Sequence, residues 1–506
     1  MEPSDEEPLG VSFLPRDIFW IILRYLDPRD TLCCRRVSRS WNEAFGNPDN
    51  LAPLLKELFP RTKEVRELRD DAAGVSQVAV DSSYWRKTFD RVAARYDHLA
   101  RGKFRSVQKY KLCDDFGVSG EREFFQVQPW ENHASHLMQR VDCLFSEAFW
   151  TYEDGLLVYP SADHHCLVLL DLNEDRRFMV PFIITGKVIR RIRLQKRLLV
   201  VEWAEPKAFH WLNDSDGVHR HFASSYEVTR SATGWSIAFR NEWKIMFLGH
   251  PLSERDRYYS SHTNTHYVIY IWQPNRSLYT ADDDAPIESL FVWDISKPSS
   301  YRPSLDPTGR LRESEDDQGP SIVARFGFRE LGFYSARQRG FPGIIRLDVT
   351  DDAQYVEITE NTCAGPVDRL VGPAEWVSEV HTTSIPLFTD GPCWRRASGR
   401  AFPPYRGNTS LVTAPLSFVA SSPPWYTVVS EAADEQAHVG YCLSVSPFSW
   451  PFDLRMFLTI QTPSSCTTLK HEEVFELTGK GAICGNENFL LGESDSRELV
   501  VYRFDR

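Results

Sequence analysis

The spacing of apolar residues divides the chain into a helical beginning and a β-rich remainder. Between about residues 14 and 112, apolar residues recur three and four positions apart, as in Ile18, Ile22 and Leu26. Residues with this spacing share one side of a helix. Pro28 ends the first helix, because a proline cannot continue the ladder of backbone hydrogen bonds. The pattern therefore predicts short helices in this part of the chain.

Polar residues mark where the further helices begin. Asp30 can cap a second helix, and Ser38 or Ser40 can cap a third, because their side-chain oxygens accept hydrogen bonds from the backbone of the first turn. A longer helix is predicted over "SYWRKTFDRVAARYDHLARG", residues 83–102, with Gly102 as its terminator. Four helices are therefore expected before the strands begin.

Beyond about residue 140 the pattern changes to short β-strands. Runs such as "GLLVYP", "CLVLLDL" and "RLLVVEW" are separated by turn-forming Asp, Asn, Gly and Ser. Roughly 360 residues, divided by the 40 to 50 residues of a four-stranded blade, would give about seven blades. The sequence therefore predicts an α+β chain whose large, mainly β domain at 141–506 is a degenerate β-propeller. Two β-sandwiches are the alternative, because no period can be aligned securely.

The last apolar run, Leu499 to Phe504, predicts a strand that needs a neighbour. An apolar edge strand left in solvent would pair with other chains, and closed propellers avoid such edges. The β-rich part begins near "GLLVYP", Gly155 to Pro160. We therefore expect these two runs to lie side by side and to close the ring.

Composition and charge narrow the class of protein without naming a partner. The 506 residues are 42% hydrophobic and 25% charged, as in ordinary globular proteins, and the formal net charge of −12 disfavours nonspecific binding to nucleic acid. The acidic start "MEPSDEEPLG" has no secretory pattern, and no apolar run approaches the roughly 20 residues of a membrane span. We therefore expect a cytoplasmic or nuclear protein that binds neither nucleic acid nor membrane.

The sequence offers no motif for catalysis, a cofactor or a metal. The ten Cys are scattered without a C-x-x-C pair, which argues against a zinc cage and a disulfide framework. His262 and His266 have the spacing of a helical zinc site, yet they lead into a predicted strand, where alternate residues share a face. The runs "DHHC" and "GKGAICG" are interpreted as turns, and no G-x-S-x-G, H-E-x-x-H or P-loop occurs. We therefore expect no enzyme, no metal and no cofactor.

The stretch "LPRDIFWIILRYLDPRDTLCCRRVSRSWNEAF", Leu14 to Phe45, resembles the F-box. The resemblance rests on "LP", "YLDP" and "VSRSWN" in that order, and fungal F-box proteins commonly place a helical linker and a long β-rich region after the motif. It implies an F-box at 10–48 and a helical linker at 49–140. It also implies that the motif docks on a Skp-type adaptor, and through it on a cullin ubiquitin ligase, while the rest of the chain holds a protein substrate.

The resemblance assigns the adaptor contacts to apolar residues of the motif. They are Leu14, Pro15, Ile18, Ile22, Leu26, Leu32, Val37 and Trp41. Val37 and Trp41 would also hold the helices together. Three short helices cannot enclose all of these side chains, so several should remain available to a partner. The alternative is that they pack only against the following helices of the same chain.

Two arginine-rich runs are candidates for a substrate site. "VIRRIRLQKR" carries Arg190, Arg191 and Arg193, and "CWRRASGR" carries Arg395 and Arg396. Guanidinium groups at one end of a propeller could bind a phosphorylated segment through paired charge-assisted hydrogen bonds. A solvated strand face and an ordinary basic loop are the simpler interpretation, which we favour.

These patterns together predict a substrate receptor that brings no catalytic residue of its own. One alternative is an F-box scaffold that binds the adaptor outside any ligase. The other is a β-propeller enzyme whose site is formed by loops. Trp293 and Asp294 are similar to the signature of a WD repeat, but the pair stands alone where a family member would show it several times.

Overall fold

The structure is a computed structural model in which most of the chain is described. The described residues are 14–72, 82–113, 118–119, 122–123, 149–213, 216–245, 252–253, 256–273, 286–307, 319–338, 344–367, 375–387, 394–401, 427–445, 456–480 and 482–505. Among them, no helix combines the length and the apolar character that a membrane span requires.

Helices form the N-terminal part of the structure. They are α1 (Arg16–Tyr25), α2 (Pro28–Cys34), α3 (Arg39–Phe45), α4 (Pro48–Leu58), α5 (Lys63–Ala72) and α6 (Ser82–Arg101). Asp27 caps α2, because its carboxylate accepts a hydrogen bond from the backbone N–H of Arg29 at 2.8 Å. The predicted cap, Asp30, instead lies inside that helix, since Pro28 already occupies the first helical position.

Two other predicted helix ends are confirmed. Ser38 caps α3 by accepting a hydrogen bond from the backbone N–H of Trp41 at 3.2 Å. Gly102 follows α6 with a φ of +61°, a conformation that residues with a Cβ rarely adopt. A Cβ at Gly102 would also lie 2.6 Å from the side chain of Leu469, so this glycine lets α6 end close against the β-rich part.

Strands follow the helices and form antiparallel sheets. Strand β1 (Ser106–Lys111) comes first, and β2 (Val118–Ser119) pairs with β3 (Arg122–Glu123). Sheet 1 contains β4 (Thr151–Glu153), β5 (Leu156–Ser161), β6 (Cys166–Asp171) and β7 (Arg176–Met179). Sheet 2 contains β8 (Val188–Gln195), β9 (Leu198–Ala204), β12 (His221–Ser231) and β13 (Gly234–Lys244), with a hairpin of β10 (His210–Asn213) and β11 (Asp216–Val218) inserted after β9.

The remaining sheets follow in chain order. Sheet 3 contains β14 (Arg257–His262), β15 (His266–Gln273), β16 (Ile287–Asp294) and β17 (Ser321–Phe326), and helix α7 (Phe328–Phe333) follows it. Sheet 4 contains β18 (Ile344–Val349), β19 (Tyr355–Val367), β20 (Glu375–Pro386) and β21 (Trp394–Ala401). Sheet 5 contains β22 (Thr427–Asp434), β23 (Val439–Val445), β24 (Met456–Gln461) and β25 (Cys466–Leu469), followed by helix α8 (His471–Val474) and a 3-10 turn (Phe475–Leu477). Sheet 6 contains β26 (Cys484–Gly485), β27 (Phe489–Glu493), β28 (Glu498–Arg503) and, on the outside of β28, strand β1.

Successive sheets pack on one another through buried apolar clusters. Such clusters join sheets 6 and 1, 1 and 2, 2 and 3, 3 and 4, and 5 and 6. Sheets 1, 2, 3 and 6 therefore bury both faces, which differs from a two-layer sandwich, in which each sheet buries one face against a single partner. The described residues contain six four-stranded sheets, compared with the roughly seven blades expected from length.

The remaining faces of sheets 4 and 5 are largely polar. In sheet 4, the hydroxyl oxygens of Thr359 and Thr382 on neighbouring strands lie 3.1 Å apart. In sheet 5, Cys442 pairs with Thr459 on the face opposite the apolar cluster. Other residues of these two faces are Glu357, Ser384, Glu431, Ser444, Phe457 and Gln461. Within the described ranges, no apolar cluster joins sheet 4 to sheet 5.

The C-terminal strand has a different partner from the one predicted. β28 pairs with β1 and β27, with Val500 opposite Lys109, whereas residues 155–160 lie in sheet 1. The prediction is wrong because β1 reads "SVQKYK", which is too polar to resemble the other strands and falls in the range 49–140 that we predicted to be helical. The N-terminal run of helices ends at Arg101, and the β-rich part begins at Ser106.

Helix α6 joins the helical core to the β-rich part. Its N-terminal half contributes Phe89 and Val92 to an apolar core shared with α1, α3 and α4, and its C-terminal half contributes Leu99 to the core of sheets 5 and 6. Between these two cores lies Arg95, whose side chain is 2% exposed.

The guanidinium group of Arg95 holds three elements together. Its two terminal nitrogens donate to the carboxylate of Glu64 in α5 at 3.0 and 2.8 Å, to Glu487 at 2.9 Å and to Asn488 at 2.6 Å. Tyr96 donates to the same Glu487 carboxylate at 3.2 Å. A buried ion cluster therefore fixes α5 and α6 to the turn that precedes β27.

Candidate adaptor-binding site

Helix α1 has one face in the helical core and one face in solvent. Phe19 and Leu23, four residues apart, are buried in the core. Ile18, Ile21 and Tyr25 are exposed to 48%, 51% and 87% of their surface. Large apolar side chains are rarely left this exposed together on one helix unless a partner covers them. We call the exposed residues Leu14, Pro15, Ile18, Ile21 and Tyr25 the α1 face.

The predicted adaptor contacts separate into exposed and half-buried residues. Leu14, Pro15 and Ile18 belong to the α1 face, and Val37 is exposed as well. Ile22, Leu26, Leu32 and Trp41 are half-buried, and the last three pack against the helical core. Trp41 stacks on Phe45 with ring centroids 5.3 Å apart. Trp41 thus packs against the helical core, whereas Val37 is 63% exposed.

Ile21 and Tyr25 are exposed apolar residues that we did not predict. They lie three and seven positions after Ile18 and therefore extend its side of the helix. The spacing was visible in the sequence. It could not be interpreted there because the side with Phe19 and Leu23 and the side with Ile18 and Ile21 are both apolar, so periodicity alone does not tell the buried stripe from the exposed one.

A hydrogen-bonded frame behind the α1 face fixes helices α2, α3 and α6. The buried Arg35 donates from Nε to the backbone carbonyl of Phe45 at 3.0 Å and forms an ion pair with Asp90 of α6. Asn42 donates to the backbone carbonyl of Arg35 at 3.1 Å and accepts from Arg86 at 2.8 Å. Burial lowers the pKa of Arg35, and the charge of Asp90 opposes that effect. The frame gives the apolar face a fixed shape before any partner binds.

The arginine run in β8 does not form an exposed basic patch. Arg190 and Arg191 are buried at the junction of sheets 2 and 3, where Arg190 contacts the Nε2 atom of His221 at 2.7 Å and Arg191 donates to the hydroxyl of Ser260 at 2.8 Å. Arg193, half-buried, donates to the backbone carbonyl of Ser260 at 3.1 Å. The register of β8 shifts between Ile189 and Arg191, so that strict alternation of faces fails there. Arg191 and Arg193 therefore link sheet 2 to sheet 3, and Arg190 and Arg191 are buried inside the protein and not exposed on a strand face.

The second arginine run is only partly described. Arg395 and Arg396 lie on β21, where their backbones pair with Thr383 and Thr382. Their side chains lie outside the described residues, so their suggested role in binding a substrate remains a prediction.

The histidines with zinc-like spacing lie on different strands. His262 ends β14 and is buried, with its Nε2 atom 3.0 Å from the backbone carbonyl of Leu198. Burial, together with the charge of Arg193, lowers the pKa of His262 to about 3. His266 begins β15 beside Thr265. In the part of the chain that the structure describes, no group of His, Cys, Asp and Glu side chains could hold a metal ion.

Comparisons with known proteins identify one part of the chain. The family model described as F-box-like matches residues 11–51. No curated protein matches the chain. Two solved structures are similar at low level: hydrazine synthase of Kuenenia stuttgartiensis, at 11% identity over 70% of this chain and 82% of that one, with a TM-score of 0.26, and a chain of the mitotic checkpoint complex, at 7% identity over 80% and 96%, also with a TM-score of 0.26.

Likeness at these TM-scores supports no statement about the fold or the activity. The family match, by contrast, covers helices α1, α2 and α3, and it therefore includes every residue of the α1 face. Residues 11–51 thus form an F-box-like domain, which supports the assignment of this chain as an F-box protein.

Proposed function

We propose that this chain is a substrate receptor that docks on a Skp-type adaptor through the α1 face and is joined by that adaptor to a cullin ubiquitin ligase. The observation that carries the proposal is the exposure of Ile18, Ile21 and Tyr25 on a helix of the F-box-like domain. Adaptor docking would cover the large apolar side chains that the fold itself leaves in water.

The energy available from the α1 face fits a stable complex. Full burial of one Ile or Leu side chain contributes about 1.5 to 3 kcal/mol, and several such side chains lie on this face. Part of that gain offsets the loss of translational and rotational freedom on association. The frame around Arg35 limits the further cost of ordering the helices, because they are already fixed by hydrogen bonds.

The β-rich part would hold the substrate, in the form of a six-bladed β-propeller. Two observations support this architecture. Four-stranded sheets pack on one another in chain order, and β1, the first strand of the β-rich part, pairs with β28 in the last sheet. A propeller offers loops from several blades at each end, where a protein segment can bind.

The chain would supply position and orientation, with no catalytic residue of its own. Holding a substrate near the group that reacts with it converts a bimolecular encounter into an effectively intramolecular one. Ubiquitin transfer would be carried out by other subunits of the ligase. Such a receptor would work in the cytoplasm or the nucleus, where cullin ligases operate.

Adaptor binding tests this function directly. The full chain and a purified Skp-type adaptor are titrated by calorimetry, and Ile18→Glu combined with Ile21→Glu is compared with Ile183→Glu. Ile183 is 72% exposed in the segment that connects β7 to β8, far along the chain from the F-box-like domain. It is therefore a control for a charge added to the surface. We expect the double variant to weaken binding by at least about a hundredfold, because two charges would be buried without partners, and the control to bind like the parent.

Addition of the cullin separates a ligase receptor from an adaptor-bound scaffold. A receptor forms a ternary complex of chain, adaptor and cullin on gel filtration, whereas a scaffold binds the adaptor and excludes the cullin. Unchanged adaptor affinity of the double variant would show that the α1 face is not the docking site.

A further inference from the structure

A polar pocket of about 320 Å³ lies between helix α5 and the β-rich part. It is lined by residues of α5, of β4, of the turn after β6, of the end of β22 with the turn that follows it, and of the turn between β26 and β27. Apart from Ala433 and Gly485, the residues that line it have polar side chains. The volume is at the lower end of the range for ligand pockets, so the pocket fits a polar molecule of about amino-acid size. We call it the joint pocket.

The cations that line the joint pocket belong to α5 and have no strong counter-ion. Arg66 donates to the side-chain oxygen of Gln436, a neutral group, and among the described residues no carboxylate pairs with it. The Nζ atom of Lys63 lies 3.9 Å from a carboxylate oxygen of Glu67, and both side chains are largely exposed. A pair of this kind contributes little, because water screens it. Both positive charges therefore remain available to a ligand.

Two carboxylates of the joint pocket lie at the end of β22 and in the turn that follows it. Asp434 accepts hydrogen bonds from two backbone N–H groups, that of Ala437 at 2.9 Å and that of Glu487 at 3.5 Å. Glu435, the next residue, is exposed. Within the described ranges neither carboxylate pairs with a Lys, Arg or His side chain. Both negative charges are therefore available to a ligand as well.

The other carboxylates of the joint pocket are neutralised by arginines that do not line it. Asp154 pairs with Arg197 at 2.6 Å, and Glu487 pairs with the buried Arg95 at 2.9 Å. The available charges are thus one pair of cations and one pair of carboxylates. A ligand with a single charge would meet like charges as well as opposite ones, whereas a zwitterion can place each of its charged groups against the opposite sign. The distribution of charge therefore selects a dipolar ligand.

Tyr152 supplies a neutral hydrogen-bond donor to the same pocket. Its hydroxyl accepts a hydrogen bond from Nδ2 of Asn486 at 2.7 Å, and in the part of the chain that the structure describes no acceptor takes the hydroxyl proton. Burial raises the pKa of Tyr152, so the proton stays on the hydroxyl at neutral pH. An oxygen atom of a ligand can accept it.

We propose that the joint pocket binds a small zwitterion of the amino-acid class. Its carboxylate is held by Lys63 and Arg66, and its ammonium group is held by Asp434 and Glu435. Such a ligand contacts α5 and sheet 5 at once, and it therefore stabilises the joint between the N-terminal helices and the β-rich part. The site goes beyond adaptor docking and substrate binding, because it involves neither the α1 face nor a protein partner.

Thermal unfolding of the full chain with single amino acids tests the joint pocket. Each common L-amino acid is added at about 10 mM, and those that raise the melting temperature are titrated by calorimetry. We expect amino acids with polar side chains to raise it, and the best of them to bind with a Kd below about 1 mM. That ligand is then compared with the amine that lacks its carboxylate and with the acid that lacks its amino group. Each analogue should bind at least about tenfold more weakly, because it loses charge-assisted hydrogen bonds.

Two variants assign the charged groups of the ligand to their partners. Asp434→Asn should weaken binding of the amino acid and of the amine by at least about fivefold and leave binding of the acid unchanged, and Arg66→Gln should do the reverse. A merely structural change would weaken all three ligands alike. Arg69→Gln, exposed on α5, and Asp163→Asn, exposed in sheet 1, do not line the pocket and are the matched controls.

The inference is overturned if no amino acid raises the melting temperature, or if both variants bind the amino acid as tightly as the parent. It is also overturned if one analogue binds as tightly as the amino acid, which would assign the pocket to a simple cation or a simple anion. The comparison of analogues uses the parent alone and decides the matter even where a variant fails to fold. Adaptor affinity is measured on the same preparations without ligand, so that a failure of the joint pocket is distinguished from a failure of the F-box function.

Discussion

The side chains of α1 are buried or exposed according to whether other helices pack against them. Phe19 and Leu23 point into a core formed with α4 and α6, whereas Ile18 and Ile21 lie outside that core and are exposed. The difference does not come from residue type, because all four are strongly apolar. It comes from the position of helices that lie far away in the chain.

Loss of Arg95 should destabilise the whole protein. Arg95→Met removes the positive charge but leaves the carboxylates of Glu64 and Glu487 in place, and removal of one partner from a buried ion cluster typically costs about 3 to 5 kcal/mol. Urea denaturation measures the change in the free energy of unfolding.

Arg39→Met is the control for Arg95, since the ion pair of Arg39 with Glu43 lies on the surface and should contribute less than about 1 kcal/mol. A second comparison is the double variant Arg95→Met, Glu487→Gln. It removes one of the carboxylates that Arg95→Met leaves unpaired, so its free energy of unfolding should be higher than that of Arg95→Met alone. Equal stability of the parent and Arg95→Met would mean that the cluster does not hold α6 to the β-rich part.

The stability of sheet 6 should depend on the protonation of Glu493. Burial raises the pKa of this carboxyl from 4.5 to about 6, against the opposing effects of Lys480 and of the hydrogen bond from Trp150 at 3.1 Å. Because the folded state binds the proton more tightly, this contribution to stability is complete below about pH 4.5 and is lost as the pH rises through about 6.

Glu493→Gln should therefore flatten the dependence of the free energy of unfolding on pH between about 4.5 and 6. Chemical denaturation at several pH values in that interval measures the slope, and Glu498→Gln, on the neighbouring strand and half-buried, is the control. A slope that is the same in Glu493→Gln and in the parent would contradict the raised pKa.

At the scale of elements, sheet 4 should open more readily than sheet 2. Sheet 2 buries apolar clusters on both faces, whereas sheet 4 has one such face and one that carries Thr359 and Thr382. Fewer buried apolar contacts lower the free energy of local opening. Amides of β19 should therefore exchange with deuterium at least about tenfold faster than amides of β9, as measured by mass spectrometry.

A matched substitution tests the cause of that difference. Thr359→Val with Thr382→Val makes the polar face more apolar and should slow exchange in β19, while Thr229→Val, on the exposed end of β12, should leave it unchanged. Equal protection of β9 and β19 in the parent would show that something else covers the polar face of sheet 4.

Local patterns in the sequence predicted many of the helices and strands, but they did not predict features that depend on residues far apart in the chain. Apolar periodicity predicted helix α6, and short apolar runs bounded by turn-forming residues predicted strands such as β5, β6 and β9. β1 was missed because its stability comes from pairing with a strand near the other end of the chain. The burial of Arg190 was missed for a similar reason, because its partners, His221 and the backbone of Asp256, belong to strands and turns more than 30 residues away.

At the scale of the whole molecule, the C-terminal strand should be essential for solubility. Deletion of residues 499–506 removes most of β28 and exposes the edges of both β1 and β27, which then pair with other chains. We expect the truncated protein to aggregate, as measured by light scattering after expression at equal level. Deletion of residues 505–506 alone is the control, because it leaves β28 intact. A soluble, monomeric 499–506 deletion with an unchanged melting temperature would disprove the role of β28.

The pairing of β1 with β28 also has a consequence for synthesis of the protein on the ribosome. Ser106 pairs with Arg503, so the first strand of the β-rich part leaves the ribosome 397 residues before its partner. At about 5 to 20 residues per second, β1 waits roughly 20 to 80 s for β28 to be made. During that interval sheets 1 to 5 can assemble in order, while strand β1 lacks its partner and the apolar face of sheet 5 that packs on sheet 6 stays uncovered. Sheet 6 is therefore completed only when β28 has been made, and we expect the nascent chain to depend on protection from aggregation until that strand emerges.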